Sequence, residues 1–204
     1  SFSTQWVVPS YHTAKPGEAE ALDLLSEILG GGPRSRLYQE LVVKTGVASS
    51  AGAYYRGTAL DPSNFTIFGT PKTPDGLDAV EAALTAEVER IAAEGVDADE
   101  LGRAKDRFTR SMIFARDNQS GMARIYGMTL TTGGKVEDVA GWPDQLKRVA
   151  PDDVGVLEVG VGEHDRELVA ADAEGAVGPP QAPLEQPAES AEHPVAAGMA
   201  LRIV

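Results

Sequence analysis

Residues Glu20-Ala21-Leu22-Asp23-Leu24-Leu25-Ser26-Glu27-Ile28-Leu29-Gly30-Gly31-Gly32-Pro33, followed by Ser35-Arg36-Leu37-Tyr38-Gln39-Glu40-Leu41, decide how this chain is read. Leu22, Leu25, Ile28 and Leu29 fall three, three and one apart, a single apolar stripe on a helix that Pro16 and Gly17 open. The glycine run and Pro33 stop that helix. Ser35 is then placed to cap a short second helix, with Leu37 and Leu41 four apart and Gly46 just past its end.

Working outward, the flanking sequence supplies strands. Upstream, Phe2-Ser3-Thr4-Gln5-Trp6-Val7-Val8 reads as a strand ended by Pro9-Ser10. Downstream, Val47 to Tyr55 and Asn64-Phe65-Thr66-Ile67-Phe68 are strand-like runs joined by the turn Arg56 to Ser63, so a hairpin is predicted. From about Pro74 to Glu94, Leu77, Val80, Leu84, Val88 and Ile91 repeat at three and four, with Thr73 as cap and Gly95 as stop. Asp97-Ala98-Asp99-Glu100 has the form of a capping box. It opens a helix through Leu101, Ala104, Phe108, Met112 and Ala115 that continues, with a break, to Met122, Ile125 and Tyr126. Two short helices, around Val136 to Leu146 and from Pro151 onward, and a strand near Glu167 to Ala171 complete the ordered elements. No internal repeat is visible. Beyond Asp172 the prolines Pro179, Pro180, Pro183, Pro187 and Pro194 sit among Ala, Glu and Gly without a period. The expectation is a domain over 1–171 and a Pro/Ala/Glu-rich tail over 172–204. The predicted fold is α/β, more narrowly α+β: a two-layer sandwich with a mostly antiparallel sheet and helices on one face.

The 204 residues suit one domain with a tail, and 42% hydrophobic content is enough to build a core. A net charge of −13 argues against nucleic acid and anionic lipid as partners. No apolar run reaches the ~20 residues of a membrane span. With no cysteine, disulfides, thiolate zinc sites, iron–sulfur clusters and cysteine nucleophiles are excluded, while cytosol and periplasm remain equally compatible. Because Ser1 is not an initiator methionine and strand begins at once, the chain is expected to be part of a longer precursor.

Chemistry is harder to find. A helical zinc site wants two imidazoles a turn apart plus a carboxylate, and His12, His164 and His193 occupy no such frame. Gly30-Gly31-Gly32-Pro33 closes a helix and lacks the lysine of a phosphate loop. There is no G-x-S-x-G elbow. Helix capping accounts for Asp97, Asp99 and Glu100, and the glutamates of the helix from Pro74 read as a solvated face. On residues alone the chain is an acidic α/β layer with no visible active site.

Three groups of residues nevertheless carry a resemblance: Glu20 to Gly32; Ser35-Arg36-Leu37-Tyr38-Gln39-Glu40-Leu41; and Glu94-Gly95-Val96 followed by Glu100-Leu101-Gly102-Arg103-Ala104-Lys105. Together, over roughly residues 2–171, they resemble the pitrilysin/insulinase family of zinc metallopeptidases, which includes the mitochondrial processing peptidase. More narrowly they look like the C-terminal, non-zinc half of a bacterial member. The resemblance implies an enzyme of two similar α/β halves closing around a peptide, with the H-x-x-E-H zinc motif in the other, N-terminal half and no metal or cofactor here.

In many members this half also supplies an arginine and a tyrosine seven residues apart, in a run like L-R-E-K-x-G-L-A-Y. Matching Leu41 and Gly46 to that run puts Val42 at the arginine position and Ser49 at the tyrosine position. Neither can replace the long donor. Tyr55, six residues past Ser49 and expected on the same strand face, is a candidate with Ser49 for the substrate chamber. The implied function is to wall a peptide-cleavage chamber and to hold the zinc-bearing half or a partner subunit, with the arginine–tyrosine pair supplied by that partner in a heterodimer. The alternative is a non-catalytic structural or assembly subunit, a use of the same fold in respiratory complexes.

Overall fold

A computed structural model describes residues 1–154. Three strands, β1 (Phe2–Val8), β2 (Ala48–Tyr55) and β3 (Ser63–Pro71), form an antiparallel sheet in the order β1-β3-β2. The predicted hairpin is β2–β3, with Ala53 opposite Ile67 and Tyr55 opposite Phe65, and β1 pairs on the other side of β3, Trp6 opposite Phe65. β3 is central for a reason visible in its residues. Phe65 and Ile67 alternate onto one face and are almost wholly buried there.

The helices α1 (Glu18–Gly30) and α2 (Leu77–Glu94) cover that face, α1 mainly over β2 and α2 over β3. Leu22, Leu25, Ile28 and Leu29 from α1 and Val80, Leu84, Val88 and Ile91 from α2 meet Phe65, Ile67 and Val8 in one core. Both predicted stripes are therefore the buried ones. The opposite face of the sheet carries no helix among the described residues, and Gln5, Val7, Ser50 and Tyr54 are exposed on it. The α+β two-layer architecture, helices on one face, follows. Beside this sandwich α3 (Ala98–Arg116), α4 (Gln119–Thr131) and α5 (Val136–Arg148) pack on one another, and α3 and α5 also pack against α1. The expected break lies at Asp117 and Asn118, where the Asn118 side chain accepts from the Gly121 N–H at 3.0 Å and starts α4.

The glycine stop has a steric cause. A Cβ on Gly30 would lie 1.6 Å from the Ala53 nitrogen, so α1 ends with its backbone directly on β2. The second short helix is real but differs in kind. Tyr38–Lys44 is π-helical, with the Thr45 N–H bonded five residues back to the Glu40 carbonyl at 3.0 Å. Leu37 and Leu41 are fully buried as expected, and Gly46 has φ +65° past the end. Ser35 does not cap through its side chain; its hydroxyl donates backward to the Gly32 carbonyl at 2.7 Å.

Two further corrections concern caps. α2 begins at Leu77 rather than Pro74, because Thr73 to Gly76 form a turn closed by Gly76 N–H to Thr73 O at 3.0 Å. Asp97 does cap α3, accepting from the Glu100 N–H at 2.8 Å. Glu100, however, does not complete a capping box. Its carboxylate takes two bonds from Arg36, at 3.0 and 2.5 Å, while Arg36 also donates to the Gly95 carbonyl at 3.1 Å. The expected helix around Val136 to Leu146 is α5, and Pro151–Asp153 is a single 3-10 turn. The strand near Glu167 to Ala171, the boundary at 171 and the tail over 172–204 lie outside the described residues.

Candidate functional site

The sequence-derived positions separate in space. Val42 lies in the π-helical segment, partly buried against the core, where its side chain packs and donates nothing. Ser49 sits at a bulge in β2: Ala48 pairs with Pro71 and Ser50 with Thr70, leaving Ser49 without a ladder partner. It is exposed, and its hydroxyl donates to the Thr70 carbonyl at 3.2 Å. The bulge undoes the simple two-residue count from Ser49 to Tyr55. Tyr55, at the far end of β2, is half-buried instead, and its hydroxyl donates to the Pro9 carbonyl at 2.5 Å.

Tyr55 is, however, one wall of a cavity of about 610 Å³. The β1–α1 connection contributes Tyr11 and His12, the first turns of α1 Glu20 and Asp23, and α5 Trp142. α1 can present Glu20 and Asp23 together because they stand three residues apart on one helical face. Across the cavity runs a relay of donors. The Trp142 indole N–H donates to the Tyr11 hydroxyl at 2.5 Å, and Tyr11 donates to Asp23 Oδ2 at 2.5 Å. The Tyr11 and Tyr55 rings are tilted, with centroids 6.4 Å apart.

Burial governs the electrostatics here. Desolvation pushes the Asp23 carboxyl up to about 7; the Tyr11 bond opposes that shift and the charge of Glu20 adds to it. Burial, reinforced by Asp23, holds the Tyr11 hydroxyl far above its ordinary value, so Tyr11 stays a donor. Tyr55 is raised for the same two causes.

Sequence reading found Tyr55 but missed Tyr11, Glu20, Asp23 and Trp142. A signal did exist at Asp23, an acid inside the apolar run Leu22-Asp23-Leu24-Leu25. Its partners Tyr11 and Trp142 are 131 residues apart in sequence, a separation that no local pattern bridges. Among the described residues no three His, Cys, Asp or Glu side chains group to hold a metal ion, and the single described histidine, His12, is exposed.

An antiparallel sheet with helices on one face and an acid–tyrosine–tryptophan relay beside it define an α+β domain. Its family follows from comparison. The Peptidase M16 inactive domain profile matches residues 3–108, just over half the chain, and the chain belongs to that family. It is the non-zinc half of the M16 fold. An uncharacterized zinc protease of Streptomyces coelicolor is 29% identical over 134 residues, 66% of this chain and 29% of that protein. The chain thus spans less than a third of this curated relative's length. Among solved structures, a protease from Helicobacter pylori superposes with TM-score 0.68 at 23% identity, over 75% of this chain and 36% of that one. The inactive peptidase domain from Bordetella parapertussis superposes with TM-score 0.63 at 21% identity, over 75% and 79% respectively. At these identities the structural matches establish the fold.

Proposed function

We propose that this chain walls the peptide-cleavage chamber of an M16-type metalloendopeptidase and holds either its zinc-bearing half or a partner subunit. A partner subunit would supply the arginine–tyrosine pair in trans. The observation that carries the reading is the pair of degenerate positions. Val42, packed against the core, and Ser49, exposed at the β2 bulge, are the residues that the motif resemblance sets against the family's two long donors. A preorganised donor beside a developing oxyanion is worth roughly a hundred- to a thousandfold in rate, so its loss has to be made good elsewhere. The sheet face that carries no helix among the described residues supports a wall role. Tyr54 and Phe68 pair there with ring centroids 6.3 Å apart, and Arg56 lies 5.6 Å over Tyr54. Aromatic side chains line many of the surfaces that take extended peptides.

The test is an assay of the full-length subunit with and without its partner, followed by substitution of the partner's arginine and tyrosine. Cleavage should require both subunits and fall at least about a hundredfold on loss of the pair. Full activity of the subunit alone would refute the reading.

A further inference from the structure

The cavity around Tyr55 holds a charge imbalance that a chamber wall does not use. Glu20 is 6% exposed, yet among the described residues it makes no hydrogen bond and no ion pair. Every fully buried side-chain nitrogen or oxygen among the described residues has a partner. The unpartnered Glu20 carboxylate therefore keeps its oxygens against the cavity it lines. Asp23 stands one turn further along the same face, and its side chain is bonded to neutral donors, the Tyr11 hydroxyl and the Trp142 indole. Lys15 and His12 reach the cavity wall, but neither pairs with either acid.

Among the described residues such a site lacks a counter-ion. Burying a negative charge without a partner is costly, and Asp23 registers that cost by holding its proton up to about 7. Two carboxylates fall short of the roughly six to eight oxygens that calcium takes, and among the described residues no third His, Cys, Asp or Glu groups with them to hold a metal ion. The walls instead suit an organic cation. Tyr11, Tyr55 and Trp142 surround the acids, and the negative faces of aromatic rings attract ammonium and guanidinium groups. A cavity of about 610 Å³ admits an arginine side chain with adjoining backbone.

We propose that this cavity binds a guanidinium or alkylammonium group, with the Glu20 carboxylate as its counter-ion and the Tyr11, Tyr55 and Trp142 rings as its walls. Asp23, fixed by Tyr11, sets the second negative pole. The chain's net charge of −13 draws cations toward it generally, and the cavity supplies the selectivity.

The 204-residue chain can be titrated at pH 8 and low salt by calorimetry and tryptophan fluorescence, since the Trp142 indole lines the site. Three probes are compared: a blocked Ala-Arg-Ala tripeptide, its citrulline counterpart of the same shape without charge, and agmatine. The arginine tripeptide and agmatine should bind saturably, at least about tenfold tighter than the citrulline peptide. Agmatine as tight as the tripeptide would identify a small free cation as the ligand. A tighter tripeptide would identify a peptide side chain. Glu20→Gln, which breaks no existing hydrogen bond, should weaken the arginine probe about tenfold and leave the citrulline probe unchanged. Equal binding of arginine and citrulline peptides, no saturable binding of any probe, or an unaltered affinity in Glu20→Gln would overturn the proposal. The comparison of probes on the unaltered chain decides the matter even if the variant fails to fold.

Discussion

Replacing Asp23 by asparagine should make the ligand-free domain more stable above neutral pH. Asp23 sits beside a cavity with its carboxyl pushed from an ordinary 3.8 up to about 7, chiefly by burial, with Glu20 adding repulsion. A group whose folded pKa is raised contributes its full stability below the unfolded value and loses it as pH rises through the folded one. The unfolded chain gives up this proton near 4 and the folded chain near 7. The rise from 3.8 to about 7 corresponds to a cost of about 4 kcal/mol above pH 8. Solvent in the adjoining cavity screens part of this, so we expect about 2 kcal/mol.

Asparagine keeps the geometry while removing the charge. Its side-chain carbonyl still accepts from the Tyr11 hydroxyl, which itself accepts from Trp142. Urea denaturation of both proteins at half-unit steps from pH 4 to 9 measures the gap. It should be smallest near pH 4, open steadily to about pH 7 and stay level above pH 8, with the asparagine variant the more stable. A gap independent of pH, or a variant less stable than the parent at pH 8, would refute the reasoning.

Gly30→Ala should cost about 3 kcal/mol or more in denaturant unfolding, because the new methyl would sit 1.6 Å from the Ala53 nitrogen and force α1 off β2. Arg36→Ala should cost about 2 kcal/mol, stripping Glu100 of two hydrogen bonds and the Gly95 carbonyl of one. The purified 204-residue chain should bind no stoichiometric zinc and show no chelator-sensitive peptide cleavage, measured by metal analysis and a quenched-peptide assay.

What the sequence made legible was governed by local spacing. The stripe Leu22, Leu25, Ile28, Leu29 and the stripe Val80, Leu84, Val88, Ile91 are the core faces because a helix must bury whichever side is apolar. The hairpin was legible from two short apolar runs with a turn between them. Local spacing misled where two structures share one pattern. Thr73-Pro74 has the form of a cap and first turn, yet Gly76 closes a turn back to Thr73 before α2 starts. The four-residue step from Leu37 to Leu41 fits an α-helix and a π-helix alike, and only the bond from Thr45 to Glu40 separates them.

The cavity was illegible for a different reason. Its acids lie on α1, its tyrosines on a loop and a strand, and its tryptophan on α5, so only tertiary packing assembles it. The family motifs meet across the fold as well. Arg36 reaches Glu100 and Gly95, Glu27 pairs with Arg107, and Gly30 lies against Ala53. Each joins segments distant in sequence, α1 or the segment after it to α3, its lead-in, or β2. Motifs with that role specify how layers dock and impose no demand on reaction chemistry. A domain can therefore retain all of them whatever stands at Val42 and Ser49. The acids at Glu20 and Asp23 belong to neither set. Asp23 adds cost to the fold at alkaline pH, and a cationic ligand would remove that cost, which makes binding, rather than packing, the physical reason for keeping two carboxylates beside one cavity.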